Sequence, residues 1–306
     1  MKPSNFFFSW CVFIPTFSVF LGAFIMMQSG IDVRIWGQNI ATWFLGMIFW
    51  LFFRIWNPSP FHRGITIFVL SYPFPAFIAL SFFDVGMQGV HRWVSIGSVR
   101  VHIASIVLPA FLITFRRIAA IGAAGILAIS IAGLLAFQPD ASEASAFTAG
   151  MLLLLLRGQM GRVTKMISAP VLVASMILAW VIRDPLPAVP HVEGIINLAA
   201  AIHPLLAVAS IISIVTLPLP FLWPRPRGSN AQLDTAVALG LYFCVKLFVS
   251  AVTQKFPIML LGFGASPIIG YFVALIWLGI VRRTRSENVS AEYFTPIKPN
   301  SSVVTK

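Results

Sequence analysis

Ten apolar stretches follow one another along the chain with polar joints between them, and no other feature restricts its fold as strongly. They run from Phe6 to Gln28, Trp36 to Phe53, Gly64 to Phe82, Val101 to Phe115, Ile118 to Phe137, Ala144 to Leu156, Met166 to Ile182, Ala199 to Leu222, Ala231 to Ala251 and Ala265 to Val281. Inside a bilayer, backbone N–H and C=O groups cannot turn to water, so a stretch of about 20 apolar residues crosses as a helix. The sequence therefore predicts an all-α fold, a polytopic transmembrane helical bundle of about ten spans. The fourth and sixth stretches are short, and Arg116 with Arg117 leaves room only for a tight turn between the fourth and fifth.

The basic residues orient the bundle. With the N-terminus inside, the cytoplasmic segments collect 15 Lys and Arg, among them Arg54, Arg63, Arg116, Arg117, Arg157 and Arg162. The opposite side collects 5: Arg34, Arg92, Arg100, Arg183 and Lys255. This bias marks the cytoplasmic side and places both termini there, as in a multi-pass protein of an inner membrane. Six of the 9 acids, including Asp84, Asp140, Asp184 and Glu193, fall outside. The formal charge of +12 thus reports topology, and with 58% apolar residues the expected partner is the lipid membrane and not nucleic acid.

The first stretch is longer than the roughly 7 to 15 residues of a signal-sequence core, so it is expected to remain as an anchor. Residues 1–281 are expected to form one transmembrane domain, and 282–306, polar and carrying Pro296 and Pro299, a mobile cytoplasmic tail. Cys11 and Cys244 lie inside separate apolar stretches and suggest no disulfide. The five histidines form no i, i+4 pair and no His-Glu motif, so neither a metal nor a cofactor is expected.

Chemistry concentrates in the outer segments. In the loop Asp84–Gly97, Gly89 and Gly97 permit tight turns around Arg92-Trp93, a cation beside an aromatic plane. That pair either receives a phosphate or carboxylate or merely anchors the loop at the membrane surface. Gln138-Pro139-Asp140 ends the fifth stretch, where Asp140 either caps the next helix or serves another partner. Asp234 and Lys246 lie within the ninth stretch about 120° apart around a helix, so they are not expected to pair with each other and could snorkel from opposite ends.

Three of these segments resemble motifs of the SEDS family of FtsW, RodA and SpoVE. Gly89-x-x-Arg92-Trp93-x-x-x-Gly97 resembles its "GAQRWI-LG", Gln138-Pro139-Asp140 its "LQPDLGTA", and Pro257-x-x-x-x-Gly262 a worn "LPFISYGGSS". The resemblance implies ten spans in a bacterial cytoplasmic membrane and a role in peptidoglycan synthesis for elongation, division or shape. It also implies lipid II as substrate and a class B penicillin-binding protein as partner. The substrate-binding residues so implied are Arg92, Trp93, Gly89, Gly97, Gln138 and Asp140.

The chain departs from the family where catalysis is expected. After Gly97 the family reads "QPSE" with a lysine three residues on, whereas this chain has His102, Ser105 and Leu108. The outer loop with the family's "HTDF" shrinks to roughly 183–198, leaving Glu193, Asp184 and Asp140, in that order, as candidates for a general base. Glycosyltransferase activity is therefore not assigned by sequence. A lipid-headgroup or small-solute transporter and a non-catalytic membrane partner stay open as alternatives.

Overall fold

The computed structural model describes residues 3–55, 73–97, 99–119, 122–222 and 229–294. Helices α1 (Pro3–Gln28) and α2 (Val33–Ile55) form an antiparallel pair, and α3 (Phe74–Ala79) runs into a 3-10 turn at Leu80–Phe83. Strands β1 (Trp93–Ile96) and β2 (Val99–His102) follow. Then come α4 (Ile103–Ala119), α5 (Ala124–Phe137), α6 (Ala141–Arg157) and α7 (Arg162–Val181). The chain ends with α8 (Ile195–Ile202), α9 (Pro204–Thr216), α10 (Leu219–Leu222), α11 (Asn230–Thr253) and α12 (Ala265–Phe294). Among the described residues, five helices are long and apolar enough to cross a membrane, four shorter apolar ones accompany them, and every expected stretch has a helix over its described part. Residues 56–72, which include the first 9 of the 19 residues of the expected third stretch, lie outside the described residues.

Helix α6 packs along α11, α12 against both α2 and α4, and α5 against α7. Large aromatic side chains fill the space between them: Phe111, Phe115, Phe147, Phe221, Tyr242, Phe243 and Tyr271 are fully buried. Small residues set the closest approaches, which is how helices associate where lipid removes the hydrophobic drive. A Cβ on Gly270 of α12 would run into the Ser105 carbonyl of α4, and one on Gly150 of α6 would crowd the Ala238 carbonyl of α11. The periphery is apolar and open, with Phe44 and Ile48 on α2, Met166 and Ile177 on α7, and Ile212 and Val215 on α9 all exposed.

Several boundaries differ from the sequence expectation. Helix α4 runs through Arg116 and Arg117 to Ala119, so the turn to α5 comes later, with Gly122 at φ +79°. Arg116 stays helical because its guanidinium is held by Asp234, and a cation suits the last turn of a helix. Val101 and His102 belong to β2, a strand that was read as the start of the fourth span. The eighth stretch breaks first at His203-Pro204, where the proline offers no N–H and His203 Nδ1 accepts the Leu205 N–H at 3.2 Å. Helix α12 continues to Phe294, so the polar segment after residue 281 begins as helix.

Candidate functional site: a buried charge cluster at the outer end of the bundle

Lys246 projects from α11 into the gap between α4 and α6. Its ammonium contacts Glu143 of α6 and donates to Ser105 Oγ of α4 at 2.9 Å. Glu143 is closed in on every side: Ser105 Oγ donates to Oε1 at 2.6 Å and Tyr242 OH to Oε2 at 2.6 Å. Ser105 Oγ also lies 2.7 Å from His102 Nδ1, and His102 Nε2 lies 3.0 Å from Asp140 Oδ2. Asp140 caps α6 by accepting the Glu143 N–H at 3.1 Å. Its other neighbour is Arg92, 4.0 Å away. Arg92 Nη2 reaches Asp184 Oδ2 at 2.7 Å and also contacts the Pro139 carbonyl, while Nε donates to the Gln138 carbonyl at 2.9 Å.

A continuous polar chain therefore runs from Lys246, in the bundle, to Asp184, in the outer loop after α7. Two fixed cations, Lys246 and Arg92, face three carboxylates, Glu143, Asp140 and Asp184, and all five side chains are at most 10% exposed. Charges withdrawn from water this far are costly unless paired and hydrogen-bonded, and this cluster meets both conditions. His102, Asp140 and Glu143 offer three ligand atoms within 4.8 Å of one another. The Lys246 ammonium already rests on Glu143, so a divalent ion there would face a fixed like charge and the trio fits a metal poorly.

The cytoplasmic end fixes how deep this cluster lies. Asp234 of α11 accepts from Arg116 of α4 at 2.6 Å and from Arg157 of α6 at 3.3 Å, tying three helix ends at one level. Counted upward from there at about 1.5 Å per residue, α11 rises about 29 Å to Thr253, α6 about 24 Å to Ala141 and α4 about 20 Å to Ile103. The hydrocarbon core is about 30 Å thick. The outer ends of α4 and α6 thus stop roughly 5 to 9 Å short of α11, and the buried charge cluster lies at the level of these shorter helix ends.

The structure joins some of the sequence-selected residues and separates others. Arg92, Asp140 and Asp184 meet directly, Gln138 contributes its carbonyl, and Trp93 stands edge-on to His102 with centroids 6.0 Å apart. Gln138 also donates through Nε2 to Ser81 Oγ at 2.7 Å, holding the 3-10 turn. Gly89 and Gly97 are exposed turn residues at φ +81° and +62° and bring no group to the cluster. Arg92 does not present a free fork: it is 3% exposed, its donors go to chain acceptors, and the Phe256 ring covers it at 5.5 Å. Lys246 does not snorkel, because Glu143 and Ser105 hold it in the bundle.

Glu193 lies apart on the loop before α8, half-buried, with Oε2 accepting the Val189 N–H at 2.7 Å. Burial lifts its carboxyl above the usual range, opposed by its own loop N–H groups and the nearby Arg92 charge. Among the described residues it has no ion-pair partner, unlike Asp140 and Asp184.

No protein-family model and no curated protein matches the sequence. Solved structures do match. Against a mutant of the rod shape determining protein RodA from Thermus thermophilus, the chain is 19% identical with a TM-score of 0.63, over 90% of this chain and 97% of that one. Unmutated RodA gives 18% identity and the same score, over 90% and 96%. A structure described as the coordination of polymerization and crosslinking by a peptidoglycan synthase complex gives 18% and 0.60, over 90% and 97%. The chain thus has the RodA fold, nearly end to end, and this is the bundle that its SEDS-like motifs imply.

Proposed function

We propose that this chain is a divergent SEDS-type membrane protein of peptidoglycan synthesis, which binds a lipid-linked precursor at the outer end of the bundle, above the charge cluster. The observation that carries this reading is the Lys246–Glu143–Ser105 contact. At Ser105 and Leu108 the sequence lacks the acid and the base of the family pattern, yet Glu143 from α6 and Lys246 from α11 bring both charges to Ser105. An acid and a cation are retained at this place while the helices that carry them have changed.

Arg92 acts in this reading as a positioning residue, tying the outer hairpin to the α5–α6 turn and to the loop after α7. If glycan strands are polymerised here, Glu193 is the base, being the one of the three candidates Glu193, Asp184 and Asp140 that has no ion-pair partner among the described residues. The partner that fits is a class B penicillin-binding protein, supported by the synthase-complex structure whose fold the chain shares. Purified protein in nanodiscs with labelled lipid II tests the reading. Saturable binding by wild type that is weakened in Lys246→Met supports it, and polymer made by wild type but not by Glu193→Gln assigns the base. No binding and no polymer, with or without a co-expressed penicillin-binding protein, would overturn it.

A further inference from the structure

The outer hairpin carries a surface that the charge cluster leaves unused. Its register pairs Trp93 with His102, Val94 with Val101, Ser95 with Arg100 and Ile96 with Val99. Cross-strand partners share a face and neighbours along a strand alternate, so Trp93, Ser95, Arg100 and His102 form one face and the other four residues the opposite one. The first face is occupied. His102 enters the cluster, and Trp93, Ser95 and Arg100 line a cleft of about 440 Å³ with Asp84 and Met87. Asp84 Oδ2 fixes the hairpin there by accepting the Ser95 N–H at 2.6 Å. The second face is Val94, Ile96, Val99 and Val101, with no polar side chain, and Ile96 and Val99 are 65% and 42% exposed.

Depth decides what covers it. The hairpin runs directly into Ile103, the recessed end of α4, roughly 9 Å below the outer end of α11. Strands of 4 residues rise at most about 13 Å. The hairpin therefore fills the depth between the recessed helix ends and the membrane surface. Its outer strand edges carry backbone groups that need water or headgroups, which holds it at the boundary and out of the hydrocarbon centre.

We propose that this face is immersed in the outer leaflet against phospholipid acyl chains, while the opposite face of the hairpin lines the cleft it shares with Asp84 and Met87. This requires only the membrane setting of the bundle and not the identity of the substrate. Spin labels at single cysteines test it, placed at Ile96, Val99, Ser95 and Arg100 in a Cys11→Ala/Cys244→Ala background, in phosphatidylethanolamine–phosphatidylglycerol vesicles. Labels at 96 and 99 are expected to be severalfold more accessible to oxygen than to a water-soluble nickel chelate, with the order reversed at 95 and 100. Should the background fail to fold, benzoylphenylalanine at 96 or 99 in the otherwise wild-type chain is expected to crosslink to lipid, and at 95 or 100 not to. Equal nickel accessibility on both faces, exclusion of both reagents at 96 and 99, or no lipid adducts there would overturn the proposal.

Discussion

Removing the cation from the centre of the cluster exposes what holds it together. In Lys246→Met, Glu143 keeps the Ser105 and Tyr242 hydroxyls but loses the ammonium in contact with it, with His102 Nδ1 3.8 Å away as its remaining basic neighbour among the described residues. Breaking a buried pair from one side costs about 3 to 5 kcal/mol, and the two surviving donors place this case at the lower end, about 3 kcal/mol. Glu143→Gln leaves Lys246 with one hydroxyl partner, so a similar cost of about 3 kcal/mol is expected. The double variant has no uncompensated charge, and its glutamine can accept from one of the Tyr242 and Ser105 hydroxyls and donate through its NH2 to the other. It should lose only about 3 kcal/mol in total, against about 6 for additive effects, a coupling of about 3 kcal/mol. Stability measured by steric trapping in bicelles reads the cycle directly. Ordinary hydrogen bonds between membrane helices average only about 0.6 kcal/mol, so additivity within about 0.5 kcal/mol would refute the direct contact between these charges.

Three further outcomes follow from the same geometry. Arg92→Ala should destabilise the fold by about 3 kcal/mol or more by leaving Asp184 without its cation and Asp140 with His102 alone, whereas Arg92→Lys should recover part of this but not the fork, read by thermal shift. At the cytoplasmic end, Arg157→Ala should cost under about 0.5 kcal/mol because that side chain is 61% exposed, while Arg116→Ala should cost about 1 to 2. Glu193 has a folded pKa above its ordinary 4.5, so stability should fall as pH rises from there through the raised value, because the fold disfavours the ionised form. Glu193→Gln should flatten that slope, and any polymerase rate that uses Glu193 as base should rise across the same window.

The bundle was legible because hydrocarbon leaves a backbone so few options: stretches of apolar residues set the helices, and the basic residues at one end of each set their direction. The joints were less legible. Arg116 and Arg117 read as a turn because charges usually leave the membrane where they occur, but Asp234, more than a hundred residues on, pulls Arg116 back into the helix. The β-hairpin was hidden for another reason. Val99-Arg100-Val101-His102 adjoins the apolar run of α4, and periodicity alone cannot separate a four-residue strand from the first turn of a helix. Within the site, Arg92, Asp140 and Asp184 could be picked out as charges near span ends. Their mutual contacts could not be, since they lie on three separate segments.

Glu143 and Lys246 were visible as a charge near a helix start and a charge within a span, and nothing local pointed either at Ser105. The link lies in side-chain volume. Ser105 is small, its hydroxyl sits between the Glu143 carboxylate and the Lys246 ammonium, and the resembled pattern has glutamate at this position and threonine where this chain has Glu143. Set beside the resembled pattern, acid and hydroxyl stand in exchanged places across the α4–α6 contact. If that is the logic, Ser105→Glu alone should fail, because it presses a second carboxylate against Glu143 with one lysine to serve both, costing at least about 3 kcal/mol. Ser105→Glu combined with Glu143→Thr restores one acid, one hydroxyl and one lysine in the same space, and should return most of that loss. Lipid II binding should follow stability across the series, high in wild type and the double variant and low in the single one. A double variant no more stable than Ser105→Glu would show that Glu143 is held by its own surroundings, Tyr242 above all, and that the exchange of positions has no energetic basis.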